Sequence, residues 1–301
     1  MSLATLGNMK RAGMTWVKQQ VRYNQGDDPS NVTGIINVAH TNGFKILLSV
    51  VGNKDQLAAN FDGFNTAFAG YLGGAASLGA DAIEVWNEAN IDREWPAGQI
   101  NGGSYTKMLA LAFNAIKSKN PNTIVVSAAP APTGFFGTAG CTAQGCNDDT
   151  FMQQMAQAGA GQYMDCVGLH YNEGIIAPSQ ASGDPRGSYP TYFFGSMLNR
   201  GYSPFGKQVC WTELGYLTAE GYNQPLPSNF AWAQNTTVAQ QTAWLAEAAT
   251  LSATSGKVRL MIVWNVDYPF FTADDPIGGY GMIRPGGSCP SCDSLGAVMK
   301  K

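Results

Sequence analysis

Two stretches of the chain place a glutamate directly behind an apolar, strand-like run. Asn87 and Glu88 follow the run 82–86 (AIEVW), and Glu213 follows the run 208–212 (QVCWT). When two carboxyl groups flank one bond, the first can protonate the leaving oxygen while the second attacks the carbon. Glycosidic bonds are cleaved by this division of labour, which makes Glu88 and Glu213 the leading catalytic candidates.

Two further glutamates lie close to Glu88 in the sequence and are rivals for its role. Glu84 occupies the middle of the same predicted strand, and Glu94 follows in the next loop. Functional groups of parallel barrels collect at the ends of strands. We therefore predict that Glu84 lies one layer deeper than Glu88 and that Glu94 is a loop carboxylate.

The elements that must position these carboxylates alternate between short apolar strands and amphipathic helices. The pattern predicts strands at 15–23, 44–51, 82–86, 123–128, 165–170, 208–212 and 258–264. It predicts helices at 3–13, 31–43, 61–79, 104–119, 149–158, 191–201 and 237–254. Nearly continuous apolar strands that are separated by single helices are typical of a parallel sheet covered on its outside.

This order predicts an α/β fold, a (β/α)8 TIM barrel, as one catalytic domain over residues 1–301. A closed barrel has eight strands, whereas the sequence supplies about seven and opens on a helix. The first strand is therefore the one that is lacking. An open, doubly wound sheet is the structural alternative, but the Gly-rich phosphate turn of that class is absent from the sequence.

Polar and aromatic side chains cluster at the predicted strand ends. Aromatic rings pack well against the CH-rich faces of sugars. Candidates for substrate binding at strand ends are Arg22, Asn87, His170, Tyr171 and Trp264, and further rings for sugar stacking are Trp95, Trp211, Tyr216 and Tyr268. His170 could equally be a core histidine, and any of the tryptophans could be core packing.

The two glutamate stretches resemble known catalytic motifs. Residues 83–88 (IEVWNE) resemble the fourth-strand Asn-Glu motif of clan A glycoside hydrolases. Residues 86–96 (WNEANIDREWP) are similar to sequences of family 39 and family 5-like enzymes, which often carry Pro where this chain has Ala89. Residues 209–216 (VCWTELGY) resemble the seventh-strand nucleophile motif. Three βα units separate the two motifs, as in clan A, and the resemblance extends from the second strand to Pro285.

The resemblance implies a retaining enzyme that acts on β-linkages without a cofactor. It implies that Glu88 is the general acid/base, that Glu213 is the nucleophile, and that Asn87 binds the sugar 2-hydroxyl. Before the glycosyl ester forms, the charge of Glu213 is expected to raise the pKa of Glu88.

The supporting residues follow from the same resemblance. Arg22 resembles the second-strand arginine that keeps the nucleophile ionised, because an adjacent cation lowers a carboxylate pKa. His170 and Tyr171 resemble the sixth-strand pair that contacts the nucleophile. Trp264 ends the last strand and would form the floor of the subsite for the cleaved sugar.

The composition narrows the partners. Hydrophobic residues make up 45% of the chain and charged residues 13%, so a large core is available under a lightly charged surface. The net charge of -3 and the lack of a basic patch argue against a nucleic-acid partner. No apolar run is long enough to suggest a membrane. With two histidines and no His-Glu-x-x-His spacing, we expect no catalytic metal. The resemblance to clan A implies no cofactor and carbohydrate as the partner.

The six cysteines bear on the compartment. Cys141 with Cys146, and Cys289 with Cys292, form two close pairs that we interpret as local disulfides. Reduced pairs or one shared zinc remain the alternatives. Cys166 and Cys210 lie in apolar runs and are expected to be buried small hydrophobes. The disulfides favour a secreted or extracytoplasmic protein, although the N-terminal residues lack the apolar core of a signal peptide.

These observations predict a retaining glycoside hydrolase that cleaves β-linked poly- or oligosaccharides by double displacement. The long loops 133–147 and 174–190 are expected to rim the cleft, and the many aromatic residues favour endo action. Two alternatives stay open at this point: a catalytically inactive carbohydrate-binding barrel, and a transglycosylase. The sequence leaves the sugar unspecified.

Overall fold

The computed structural model describes residues 2–132 and 135–299, within which strands and helices alternate. The strands are β1 (Trp16–Tyr23), β2 (Lys45–Gly52), β3 (Ala82–Val85), β4 (Ile124–Ser127), β5 (Val167–Tyr171), β6 (Val209–Leu214) and β7 (Val258–Val263). The helices are α1 (Leu3–Arg11), α2 (Thr33–Thr41), α3 (Lys54–Ala59), α4 (Phe61–Ser77), α5 (Gly102–Lys119), α6 (Asp148–Gln157), α7 (Phe194–Tyr202), α8 (Val238–Thr254) and α9 (Pro290–Met299).

The predicted fold class is confirmed. All seven predicted strands are present, and helices separate them along the chain. In the described residues the strands form one sheet in the order β1-β2-β3-β4 and another in the order β5-β6-β7, so the barrel is not closed. The first of the described elements is a helix, as the sequence indicates.

The chain divides into two compact units. One comprises residues 16–170 and 200–210 and is called here the four-strand unit. The other comprises residues 1–15, 171–199 and 211–301 and is called the terminal unit. The single domain over residues 1–301 stays a prediction.

The four-strand unit is built on a parallel sheet whose register aligns the strand ends. Tyr23 lies opposite Gly52, Val50 opposite Val85, and Val85 opposite Ser127. Every residue of β2 after Lys45 is buried, as expected for a strand that is covered on both faces. Residues that follow these strands therefore leave the sheet at one edge, where Asn87 and Glu88 lie.

The terminal unit packs its helices around a smaller core. Helix α8 begins with a capping box in which Thr237 and Gln240 satisfy each other's backbone amides. Helix α9 approaches α1 closely, because a side chain at Gly296 would lie 2.4 Å from the carbonyl oxygen of Arg11. A cluster of Leu217, Ala219, Leu226, Ala233 and Tyr280 forms a core against which Trp264 packs.

Disulfides join all six cysteines. The bonds Cys141–Cys146 and Cys289–Cys292 confirm the two predicted local pairs. The interpretation of Cys166 and Cys210 as unbonded hydrophobes is wrong, because they form a third disulfide across a separation of 44 residues. Both are fully buried. None of the helices among the described residues is long and apolar enough to cross a membrane.

Candidate active site

The backbone that presents Glu88 is conformationally unusual. Trp86 has φ +75° and Glu88 has φ +46°, a region that L-residues other than Gly, Asn and Asp seldom adopt. The strained turn is held by its own backbone, since the Trp86 amide donates to Val50 (2.9 Å) and the Glu88 amide donates to Ala129 (3.0 Å). Such strain persists where surrounding contacts enforce it, and it concentrates at functional sites.

Aromatic packing supplies that enforcement. The fully buried Trp86 ring makes edge contacts with Phe64, Phe68 and Trp95, with ring centroids 5.2 to 6.3 Å apart. Its Nε1 donates to the carbonyl of Glu94. The ring also requires Gly52 at the end of β2, because a side chain there would lie 2.4 Å from it. The residue two positions before Glu88 is thereby fixed.

The residues that follow Glu88 are fixed by a buried amide. Asn90 is fully buried, donates from Nδ2 to the carbonyls of Ala131 and Cys146, and accepts from the Ala131 amide. Cys146 donates its own amide to the Asn90 carbonyl (2.8 Å). The disulfide-closed loop 141–146 is thus bonded to the loop that carries Glu88.

Two basic side chains contact the Glu88 carboxylate. His170 Nδ1 lies 3.3 Å from Oε1, and the Arg93 guanidinium donates to Oε2. His170 is fully buried, whereas the Arg93 side chain is 69% exposed. Burial raises the pKa of Glu88, but the hydrogen bond and charge of His170 and the charge of Arg93 outweigh it and hold that pKa below the usual range for glutamate.

This electrostatic setting corrects one expectation. We expected the pKa of Glu88 to be raised by Glu213, whereas the contacts of the four-strand unit lower it. Arg93 is the residue that sequence analysis missed. Arg93 lies five positions after Glu88, within residues 86–96. No periodicity in the sequence indicates that its side chain contacts the Glu88 carboxylate.

The remaining polar candidates of the four-strand unit lie as follows. Asn87 is buried, and among the described residues its Oδ1 accepts no hydrogen bond. Arg22 is exposed and pairs with Glu94 (3.0 Å), a loop carboxylate. Glu84 is fully buried and pairs with Lys18 (3.1 Å) inside the sheet, one layer below the strand end, as predicted.

Glu213 lies on β6 in the terminal unit and is half-buried between buried neighbours. Its charge, after burial and together with that of Glu173, raises the pKa of the Tyr280 hydroxyl. Glu213 therefore lies within electrostatic reach of Tyr280, whose hydroxyl donates to the Asn172 carbonyl (2.7 Å). Trp264 follows β7, is half-buried, and donates its amide to Leu214.

Most of the rings proposed for sugar stacking belong to the core. Trp95 is buried against Trp86 and Tyr105, and its Nε1 donates to Gln99. In the terminal unit Tyr171, Trp211 and Tyr216 are buried in contact with one another or with Phe194. A ring with both faces covered cannot stack on a sugar, so the stacking roles of Trp95, Trp211 and Tyr216 are corrected, while the contact of Tyr171 with the nucleophile stays a prediction. Of the stacking candidates, Trp264 and Tyr268 keep exposed surface.

No protein-family model matches the chain. No curated protein matches it either. Among solved structures, a family 39 glycoside hydrolase from the gut symbiont Bacteroides cellulosilyticus is similar with a TM-score of 0.65 at 17% identity, over 98% of this chain. This chain spans 60% of the length of that enzyme.

Two further solved structures match over nearly their whole length. A fungal β-1,4-galactanase gives a TM-score of 0.65 at 15% identity, over 99% of this chain and 91% of the galactanase. An endo-1,4-β-mannanase from Rhizomucor miehei gives 0.60 at 15% identity, over 99% and 90%. The chain shares the fold of these glycoside hydrolases. The resemblance in fold that the two sequence motifs implied is confirmed.

The described residues hold no group of three or more His, Cys, Asp or Glu side chains that could bind a metal ion. At Glu88 the structure presents a carboxyl group in contact with His170 and Arg93. Such a group can accept, hold and return a proton, and the buried Asn87 amide beside it in the sequence can orient a hydroxyl.

Proposed function

We propose that this protein is a retaining glycoside hydrolase that cleaves β-linked O-glycosidic bonds of a polysaccharide. The observation that supports this most directly is the Glu88 carboxyl, buried in a left-handed turn at the end of β3 and contacted by His170 and Arg93. A structural role does not explain a strained, buried carboxyl group that contacts His170 and Arg93, because a simpler residue would fill such a role.

The proposed reaction has two half-reactions. Glu213 attacks the anomeric carbon while Glu88 donates a proton to the departing oxygen, so that a glycosyl ester forms and the glycosidic bond breaks. Glu88, now a carboxylate, removes a proton from water, and the water oxygen displaces Glu213 from the anomeric carbon. The role of Glu213 rests on its sequence motif and its position on β6.

The contacts of Glu88 with His170 and Arg93 favour the second half-reaction. His170 and Arg93 favour the carboxylate, which is the form that activates water. The first half-reaction needs the acid form. A substrate that displaces the exposed Arg93 side chain from Oε2 removes one of the two charges that lower the pKa, and so favours protonation of Glu88.

The substrate class follows from the fold comparison. The similar structures include a β-1,4-galactanase and an endo-1,4-β-mannanase, both of which act on β-1,4-linked polymers. We extend that class, a β-linked hexose or pentose polymer cleaved internally, to this chain. The three disulfides support an oxidising compartment outside the cytoplasm as the location of the proposed enzyme.

Intact-protein mass spectrometry with 2-deoxy-2-fluoro glycosides tests the proposal. Activated glucosyl, xylosyl, mannosyl and galactosyl donors should yield one covalent adduct, which peptide digestion maps to Glu213. Glu213→Gln should abolish labelling, whereas Glu88→Gln should still label with a donor whose leaving group needs no protonation. Glu247→Gln on α8 is the control and should label normally. An adduct at another residue, or hydrolysis that survives in both variants, would contradict the assignment.

A further inference from the structure

Two large aromatic side chains remain exposed on the loop that follows β7. Tyr268 is 38% exposed and Phe270 is 61% exposed, and their rings contact each other at 5.6 Å between centroids. Exposing adjacent apolar rings is unfavourable in water, and such patches mark binding surfaces more often than single exposed residues do. The next residue, Phe271, packs against the core and stacks on Tyr222, with the ring centroids 4.2 Å apart and the ring planes at 11°.

The loop holds these rings in one arrangement. Pro269 separates them and restricts both its own φ and the backbone of Tyr268. The Tyr268 amide donates to Asn265 Oδ1 (3.0 Å), and the Phe270 carbonyl accepts from Gly278 (2.8 Å). A side chain at Gly278 would lie 2.4 Å from that carbonyl oxygen, so the glycine is required there.

The far side of the loop is also tied down. Asn265 Nδ2 donates to the Ile277 carbonyl (3.2 Å), and Gln224 Nε2 donates to the Phe271 carbonyl (2.7 Å). A loop that is bonded at both ends and in its middle loses little conformational entropy when a ligand binds. The exposed rings therefore behave as a preformed surface.

The geometry of the two rings selects the ligand. Their planes meet at 75°, so the flat CH face of a ligand ring can pack on one of them while the other borders its edge. The neighbouring Asp267 carboxylate accepts from the Thr5 hydroxyl (2.6 Å) and is fixed by that bond, with its other oxygen able to accept a hydroxyl. A ring with an apolar face and a rim of hydroxyls, a pyranose, matches this combination.

We propose that Tyr268 and Phe270 form a sugar-stacking subsite that binds one backbone pyranose of a β-linked polysaccharide. The subsite rests on the proposed function and deepens it, because a stacking surface on the loop after Trp264 serves a polymer and not a short glycoside. A protein partner is disfavoured, since two rings fall far short of the area that a specific protein interface buries.

Affinity electrophoresis tests the subsite. The probes are gels containing soluble β-1,4-mannan, β-1,4-galactan, β-1,4-xylan or mixed-linkage β-glucan, and the parent protein carries Glu213→Gln so that no polymer is hydrolysed. At least one polymer should retard the parent. Adding Tyr268→Ala or Phe270→Ala should weaken retardation about tenfold each, the effect of removing one stacked ring. Adding Leu111→Ala, an exposed apolar residue of α5, should leave it unchanged.

A second measurement separates this proposal from the catalytic one. In the otherwise unmodified protein, Tyr268→Ala and Phe270→Ala should raise KM for the retarding polymer about tenfold and raise KM for a short aryl glycoside by less, whereas Leu111→Ala should change neither. Equal retardation of parent and ring variants, or no retardation of the parent by any polymer, overturns the subsite even if fluoro-glycosides label Glu213. A concentration-dependent dimer that Phe270→Ala dissociates would also overturn it, in favour of a second copy of the chain as the occupant.

Discussion

The loop after β3 and the loop after β7 present side chains in opposite ways. The first buries nearly all of its aromatic surface, with Trp86 and Trp95 in the core, and uses it to force Glu88 into a left-handed backbone. The second half-buries Phe271 and leaves Tyr268 and Phe270 exposed. In the loop after β3, the packing of aromatic rings fixes the position of a single carboxyl group. In the loop after β7, backbone hydrogen bonds hold an exposed aromatic surface. We therefore expect that the exposed rings can be removed without damage to the fold.

The largest effect by which this contrast can be tested is on the free energy of unfolding. Trp86→Ala should lower the free energy of unfolding by about 3–5 kcal/mol, because it leaves a cavity among Phe64, Phe68 and Trp95. Chemical denaturation followed by circular dichroism measures it. Phe135→Ala, which removes a ring that is 72% exposed, is the control. A loss below about 1 kcal/mol for Trp86→Ala would show that packing does not hold the Glu88 turn.

A second prediction sharpens the role of the cations at Glu88. Arg93→Met removes one of the charges that lower the pKa of Glu88, so that pKa should rise. Because the first half-reaction needs protonated Glu88, the alkaline limb of kcat/KM should move to higher pH. Arg11→Met, on α1 and paired with Asp293, should leave the limb in place. A limb that stays or moves to lower pH in Arg93→Met would contradict this electrostatic role.

The same shift has a consequence for stability in acid. A carboxyl with a lowered folded-state pKa contributes stability above its unfolded pKa and loses it as the pH falls through the folded value. The Arg93→Met protein should therefore lose less stability than the unmodified protein when both are taken from neutral to acidic pH. Parallel unfolding curves over a series of pH values would measure the difference.

The smallest expected effect concerns the exposed rings. Phe270→Ala should change the free energy of unfolding by no more than about 0.5 kcal/mol, because the side chain is largely in solvent and the loop hydrogen bonds use backbone atoms. Thermal and chemical unfolding together measure the change. A loss comparable with that of Trp86→Ala would mean that the ring is a structural element, and the two loops would then use their aromatic residues alike.

The local features of the fold could be predicted from the sequence, because each depends on neighbours within a few residues. The apolar runs located β1 to β7, and the Asn-Glu and Thr-Glu stretches located the ends of β3 and β6. Close cysteine spacing predicted two disulfides. The pair Cys166–Cys210 was missed because nothing local indicates that residues 44 positions apart meet.

The environment of each candidate was harder to predict than its position. Trp95 follows a catalytic-type motif in a loop, which predicts exposure, yet Tyr105 and Trp86 cover it. Arg22 was assigned to a nucleophile but pairs with Glu94. The path of a loop decides these contacts, and the sequence indicates where loops lie without indicating how they turn.

The left-handed backbone at Glu88 also bears on how this chain can evolve. Glycine adopts that conformation without the steric penalty of a side chain, and asparagine adopts it more readily than glutamate does. Selection for stability alone would therefore favour the replacement of Glu88. A single codon change would give a chain with a less strained backbone and without this carboxyl group. Glutamate at this position therefore carries a conformational cost that glycine would avoid and asparagine would reduce.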